Sequence, residues 1–540
     1  MRAWAAAACG AASGALLAAA VPGPGLWPLA FCALVPWAVA SERAASRAGR
    51  IAADYVCGVV FFVPTVWWLS RITLAAFIPV AILAPIFVCF AGWMYRRLRT
   101  TLPAALALPA AWTASEFVRS LPPFPFPWAW LGYDAVPWLD LAGLASLGGP
   151  LLLSFLFAAS SGALVDALAG GRKAPRFVPA VAVAAVLAAG AFTGGALRRA
   201  VGPVAEGPTI ACLQPNIPQS LKDNPVSLEE LEGRLFRLAR QAAASEPDLV
   251  VIPETMLPPW IARDLAPDVN LLPSDEAMPY LVREAQRDER AFLARLRRSL
   301  GRKPWLLSGV FLYGPGADPK SARPRNSAIL YDAKDREVGR YDKMYLVPGS
   351  ESLPLLPEGG IGDSLRRALD PFTAGMMLDM APGPGARVLE LRREGVERPD
   401  RLSPSICYDN AFARPYRDAA ATGCDFHIVL SNEGWFPDSY EMDHMLAYSA
   451  FRAIETRRAV VRCTNTGVSC VVGPDGALVE ALVKDGRRSE IEGVLTVKPP
   501  IPTQAPSTVY ALVGDLPWKL LAAVALVGAW TLRRRGAKSP

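Results

Sequence analysis

The chain holds 540 residues, 52% of them hydrophobic and 19% charged, against about 25% charged in an average soluble domain. So much apolar surface excludes disorder, the 50 prolines and 43 glycines lack the period of a collagen-like fibre, and two histidines exclude multi-histidine metal chemistry. The net charge of +7 is uneven, with +8 on residues 1–200, −5 on 201–500 and +4 on 501–540, which argues against a nucleic-acid binder with a basic soluble domain.

Apolar runs of bilayer-crossing length fall at about 3–21, 25–41, 52–70, 73–95, 102–119, 140–168 and 177–197, with an eighth at 511–532. Pro36 interrupts the second. The first is followed at once by further spans, so it reads as a retained helix and not as a cleaved signal. Three basic clusters, Arg43/Arg47/Arg50, Arg96/Arg97/Arg99 and Arg172/Lys173/Arg176, fall in alternate loops, and Arg533–Arg535 follow the last span. The positive-inside rule then places those loops and both termini in the cytoplasm, and residues 200–505 on the outer face. Glu116 and Arg119, three apart on a predicted helix, read as an ion pair near the outer surface. The proline- and aromatic-rich loop 122–133 reads either as an interfacial belt or as part of the handling of a membrane substrate.

From about residue 207 the texture changes to short β-rich runs alternating with amphipathic stretches, the mark of an α/β layer fold. Strands are predicted at Thr209–Gln214, Asp248–Ile252, Trp305–Leu312, Ser327–Tyr331, His427–Ser431, Ala459–Thr464, Ser469–Val472 and Val494–Lys498. Helices are predicted at Ser227–Ala243, Ala291–Leu300, Ala411–Ala421 and Tyr440–Arg457, the first opened by a Ser227/Glu230 capping box. Residues 261–303 read as a long insertion with charged helices. Residues 355–385, rich in Gly, Pro and Met, read as either a flap over a site or a long loop.

Three segments carry chemistry. A buried strand ends at Glu254, Lys343 is followed eight residues on by Glu351, and Cys407 closes the short run Ser405-Ile-Cys. Taken singly they read as a turn carboxylate, a solvated cation and a core thiol. Together they make a nucleophilic set without histidine: a carboxylate to take the thiol proton, and an ammonium to favour thiolate and stabilise an oxyanion. Cys212, Cys424, Cys463 and Cys470 read as core. No cysteine spacing suggests zinc, and the sequence assigns no disulfide among the five outer thiols.

The three segments, in this order, resemble the nitrilase (carbon–nitrogen hydrolase) superfamily. The chain from first span to last resembles the apolipoprotein N-acyltransferase family. Gln214–Lys222, Ser431–Ser439, Thr464–Gly467 and Phe126–Tyr133 resemble further family segments. The resemblance implies a polytopic α-helical membrane protein of about eight spans with an inserted α/β nitrilase-like α-β-β-α sandwich. The implied division is 1–200 transmembrane, 205–500 extracytoplasmic and catalytic, and 508–540 a last helix and basic tail. It implies Cys407 as nucleophile, Glu254 as base and acid, Lys343 at the oxyanion, Glu351, Tyr408 and Asp409 in support, and Trp435 at the substrate. The implied donor is a phospholipid and the acceptor a diacylglyceryl-modified apolipoprotein, in the bacterial inner membrane with the catalytic domain periplasmic. No metal, organic cofactor or nucleic acid is implied. Asp409 stands where the family often has Glu, and Pro-Gly-Ser-Glu351 replaces Pro-Phe-Gly-Glu.

Three other readings use the same residues differently. A membrane-anchored nitrilase-type amidase would resolve the thioester with water but needs neither eight spans nor the aromatic loop. An inactive scaffold should have lost part of the triad. A transporter should carry paired polar groups at mid-depth, whereas Asp54, Glu116 and Asp166 lie near predicted span ends.

Overall fold

A computed structural model describes residues 1–72, 74–123, 125–169, 178–218, 228–256, 260–261, 278–313, 324–352, 380–504 and 507–536. The chain divides into two bodies: Met1–Val201 with Ser439–Glu455 and Ser507–Pro540, and Gly202–Asp438 with Thr456–Pro506.

The first body is helical. Ala3–Ala20, Arg47–Thr65, Phe77–Leu98, Ala145–Ala169 and Val181–Arg199 are long and apolar enough to cross a bilayer. The other expected spans are shorter or broken. Run 25–41 divides into a 3-10 turn, Trp27–Phe31, and a nine-residue helix, Val35–Arg43, with Pro36 in its first turn. Run 102–119 yields the 16-residue helix Ala104–Arg119. The last yields Val509–Val513 and Leu516–Gly536, the second apolar over Leu516–Leu532. The class is therefore a polytopic helical membrane protein, with five helices meeting the length and composition of a span among the described residues.

Several buried charges in this body are engaged, as a low-dielectric setting requires. Asp54 accepts both arms of Arg96, at 3.1 and 2.9 Å, and Trp37 Nε1 at 2.9 Å. Asp166 accepts the main-chain N–H groups of Ala104 and Ala105 at 3.0 and 2.9 Å, satisfying two orphan donors at the start of Ala104–Arg119. Glu116 turns to Trp112 Nε1 (3.0 Å) and the Leu131 N–H (2.8 Å), and Arg119 donates to the Trp128 carbonyl. Both are buried and brace the following loop, so they do not lie near the surface as expected. That loop does not lie open at headgroup level either. Trp128, Trp130 and Tyr133 are buried, Trp128 stacks on His444, and Tyr133 meets Tyr448 and Phe451 edge-on.

The second body is built on β1 (Val204–Glu206), β2 (Ile210–Gln214), β3 (Leu249–Ile252), β4 (Trp260–Ile261), β5 (Trp305–Tyr313), β6 (Pro324–Tyr331), β7 (Glu337–Asp342), β8 (Leu389–Leu391), β9 (Asp400–Ile406), β10 (Phe426–Ser431), β11 (Ala459–Thr464), β12 (Cys470–Val472), β13 (Leu478–Ala481), β14 (Gly493–Val497) and β15 (Pro500–Pro502). One sheet runs β14-β2-β3-β5-β6-β7 with β4 on β5, the other β13-β12-β11-β10-β9-β8, and β1 pairs with β15. The strand centres are parallel (β2-β3-β5 and β9-β10-β11) and the margins antiparallel. Parallel centres buried on both faces explain the unbroken apolar runs of β2, β3 and β10.

Period-two alternation divides each strand between two cores. Ile210, Cys212, Leu249, Val251 and Leu307 face Ile406, Ile428, Leu430 and Val461 of the other sheet. Ala211, Leu213, Val250, Ile252 and Leu306 face outward onto Leu235, Phe236, Phe292 and Leu296, carried by helices Leu228–Ala243 and Met278–Leu300. Helix Ala413–Ala421 lies on the far side, where Tyr416 is hydrogen-bonded to Ser405 of β9 at 2.7 Å. The result is an α-β-β-α sandwich. The predicted capping residue Ser227, most of 261–303 before the long helix, and 355–379 lie outside the described residues.

Candidate active site

Four chain segments bring the candidate residues to one end of the sandwich. Glu254 follows β3 across Pro253, Lys343 follows β7, Glu351 closes the turn after it, and Cys407 follows β9. Cys407 has φ +46° and Thr255, beside Glu254, φ +48°. Non-glycine residues in the left-handed region cost about 1–3 kcal/mol and are held only where the surroundings dictate them. Here the turn lifts the thiol off the end of β9 onto a 3-10 turn, Cys407–Ala411.

The carboxylate–ammonium centre is sealed. Lys343 is 1% exposed and Glu254 5%. Lys343 Nζ donates to Glu351 Oε1 at 2.8 Å and to Glu254 Oε1 at 3.4 Å. Asn326 Nδ2, on β6, donates to the same two oxygens at 3.3 and 2.7 Å. Glu254 Oε2 accepts the Asn432 N–H at 2.9 Å, and Glu351 Oε2 the Val347 N–H at 2.9 Å. Burial works against the lysine charge, but Glu351, Glu254 and Cys407 together outweigh it and hold its pKa well above the ordinary value. Lys343 is thus a fixed cation within electrostatic reach of the thiol, which favours a thiolate and any oxyanion formed on its target.

Asp409 ties the nucleophile turn to the lysine loop. Its Oδ2 accepts Tyr341 Oη at 2.6 Å and the Ile406 N–H at 3.1 Å, and its Oδ1 the N–H groups of Tyr345 and Met344 at 2.8 and 3.2 Å. Complete burial lifts its carboxyl to about 6, while Tyr341, Lys343 and these amides restrain the rise. Tyr408 is buried with its ring edge-on to Phe412 at 5.2 Å. Trp435 is half-buried at the end of the turn Glu433–Trp435.

The structure therefore gathers Glu254, Lys343, Glu351, Cys407 and Asp409 at one centre. Asn326, Tyr341 and the Asn432 main chain join them without having been singled out. Asn326 had a readable signal, since a polar group beside the predicted strand Ser327–Tyr331 must have a partner if buried, whereas Tyr341 lies in an edge strand that was not predicted. The Asn432 N–H had none, because a main-chain donor carries no side-chain signature.

Residues 13–163 match the apolipoprotein N-acyltransferase N-terminal domain family, and residues 209–497 match the carbon-nitrogen hydrolase family. Among curated relatives, the apolipoprotein N-acyltransferase of Bradyrhizobium diazoefficiens is 32% identical over 83% of this chain and 77% of its own length. Those of Geobacter metallireducens and Azotobacter vinelandii are 26% and 28% identical over 97% and 98% of this chain, and 94% and 95% of their own lengths. Among solved structures, a mutant of the Nesterenkonia AN1 amidase from the nitrilase superfamily overlays 59% of this chain and 98% of its own, at 19% identity and a TM-score of 0.36.

Proposed function

The chain belongs to the apolipoprotein N-acyltransferase family, and from that premise we propose how its candidate site acylates apolipoproteins in a bacterial membrane. The donor is a phospholipid. The Cys407 thiol gives its proton to Glu254, and sulfur attacks the sn-1 ester carbonyl. Lys343 stabilises the oxyanion as it forms. The carbon–oxygen ester bond breaks, the departing glycerol oxygen takes the proton from Glu254, and an acyl thioester and a lysophospholipid result. The α-amine of a diacylglyceryl-cysteine then attacks the thioester. Glu254 accepts the amine proton, the carbon–sulfur bond breaks, and an amide is left.

Glu351 holds Lys343, Asp409 and Tyr408 support the nucleophile turn, and Trp435 contacts substrate. Residues 1–200 and 508–540 serve as membrane domain, and 205–500 as a catalytic domain on the periplasmic side of the inner membrane. The observation that carries this reading is the buried Lys343 bridging Glu254 and Glu351 beside the Cys407 turn, on a chain with five helices of spanning character. The thioester is a suitable intermediate because it passes its acyl group to an amine, provided water is excluded.

The test supplies the purified full chain with a phospholipid and a peptide bearing an N-terminal diacylglyceryl-cysteine. A peptide gaining one acyl chain in amide linkage supports the transfer. Free fatty acid with an unmodified peptide would assign the site to hydrolysis instead.

A further inference from the structure

Behind Glu254 lies a buried ion pair that the acyl-transfer steps leave unused. Glu433 opens the turn after β10, and Arg462 sits on the neighbouring strand β11. Arg462 Nη2 donates to Glu433 Oε1 at 2.7 Å, and both side chains are 0% exposed. Arg462 Nε also donates to the Val468 carbonyl at 3.3 Å. On its other side the Glu433 carboxyl is closed by Gly467, where a Cβ would stand 2.5 Å from Glu433 Cδ. The Glu433 side chain is thus clamped between a guanidinium and a main chain.

Taking two charges out of water is expensive, and an apolar pair of similar volume is often at least as stable. Stability alone therefore explains the pair poorly, and its placement explains it better. Glu433 follows Asn432, whose N–H holds Glu254 Oε2 at 2.9 Å. The Asn432 side chain is itself tied, since its Oδ1 accepts Asn465 Nδ2 at 2.8 Å and the Gly434 N–H at 3.3 Å. Glu433 and Glu254 also repel each other, a repulsion that the Arg462 charge offsets.

We propose that Arg462 is a positioning residue for Glu254, acting through Glu433 to fix the Asn432 main chain that holds the base in place. The proposal rests on the reading of Glu254 as the proton acceptor from Cys407. Loss of the clamp lets the donor drift, and small misplacements of a catalytic group are costly. Loss of the Glu433 charge alone keeps the geometry.

The test measures alkylation of Cys407 by iodoacetamide across pH in the full chain, read by peptide mass mapping, which needs no lipid substrate. Glu433→Gln keeps an acceptor for Arg462. It should retain a maximal rate within about threefold of the parent. Arg462→Met should lower the maximal rate at least about tenfold. The double variant Glu433→Leu/Arg462→Met has no orphaned charge and should fold, yet remain about tenfold slow. A folded double variant with the parent's rate would overturn the proposal and leave the pair a packing element. Formation of an acyl adduct from phospholipid, measured in parallel, tests the acyl-transfer reading separately: its absence alongside slowed alkylation would overturn that reading and leave the positioning role intact.

Discussion

Asp409→Asn sets two calculable effects against each other. The fold raises the Asp409 carboxyl from 3.8 to about 6. Each pH unit corresponds to about 1.4 kcal/mol, so the ionised carboxylate costs the folded chain about 3 kcal/mol relative to the unfolded one. A raised folded value means the fold binds this proton more tightly. The contribution is therefore fully present below pH 3.8 and is lost as pH rises through about 6. Asparagine removes that loss but cannot accept at all four bonds. If its Nδ2 faces Ile406 and Tyr341, the Ile406 N–H is left without an acceptor, at about 1–3 kcal/mol. Near pH 7 the two effects nearly cancel. Near pH 4 only the penalty remains.

The assay is thermal unfolding of parent and variant in the same detergent from pH 4 to 7.5. Other titrating groups cancel in the difference, because they are common to both chains. The variant should gain about 2.4 kcal/mol on the parent across this range, or roughly 5 °C at about 2 °C per kcal/mol. A constant difference, or one that moves the other way, would refute both the raised carboxyl and the cause assigned to it. Thioester formation by the variant should be slower at pH 7 whatever its stability, because the turn carrying Cys407 loses the bond from the Ile406 N–H that fixes it.

Other perturbations separate chemistry from architecture. Glu254→Gln should lower thioester formation by about 10²–10⁴-fold with modest change in stability, read as adduct growth over time. Lys343→Met leaves two buried carboxylates facing each other and should cost about 3–5 kcal/mol in unfolding assays as well as abolishing the adduct. Asp166→Ala should cost about 1 kcal/mol through the uncapped helix Ala104–Arg119, visible as a lower midpoint with the normal adduct yield.

Much of the sandwich was legible because its central strands are apolar on both faces. The predicted strand at Ala459–Thr464 matches β11, and that at His427–Ser431 falls one residue short of β10. The margins were not legible. Glu337-Val-Gly-Arg-Tyr-Asp forms the edge strand β7 with half-exposed polar residues, and β13 is an exposed edge strand of only four residues. The long helix begins at Met278 and not at Ala291, since its early turns are too charged to declare a periodicity. In the membrane body, hydropathy located the segments and Pro36 marked the interruption of the second, but the 3-10 turn at Trp27–Phe31 was not foreseen. Glu116 and Arg119 show a further limit. Spacing of three predicts a pair near the surface, but both side chains are buried beside a loop and also take main-chain partners whose positions no local pattern encodes.

The central claim is a covalent acyl intermediate on Cys407. Intact mass spectrometry of the full chain purified with phospholipid tests it directly, with Cys407→Ala alongside. The account predicts a mass gain of one fatty acyl chain, removed by hydroxylamine and absent from the variant. An adduct of the same mass on Cys407→Ala, or an unmodified parent chain that hydrolyses small amides, would contradict it.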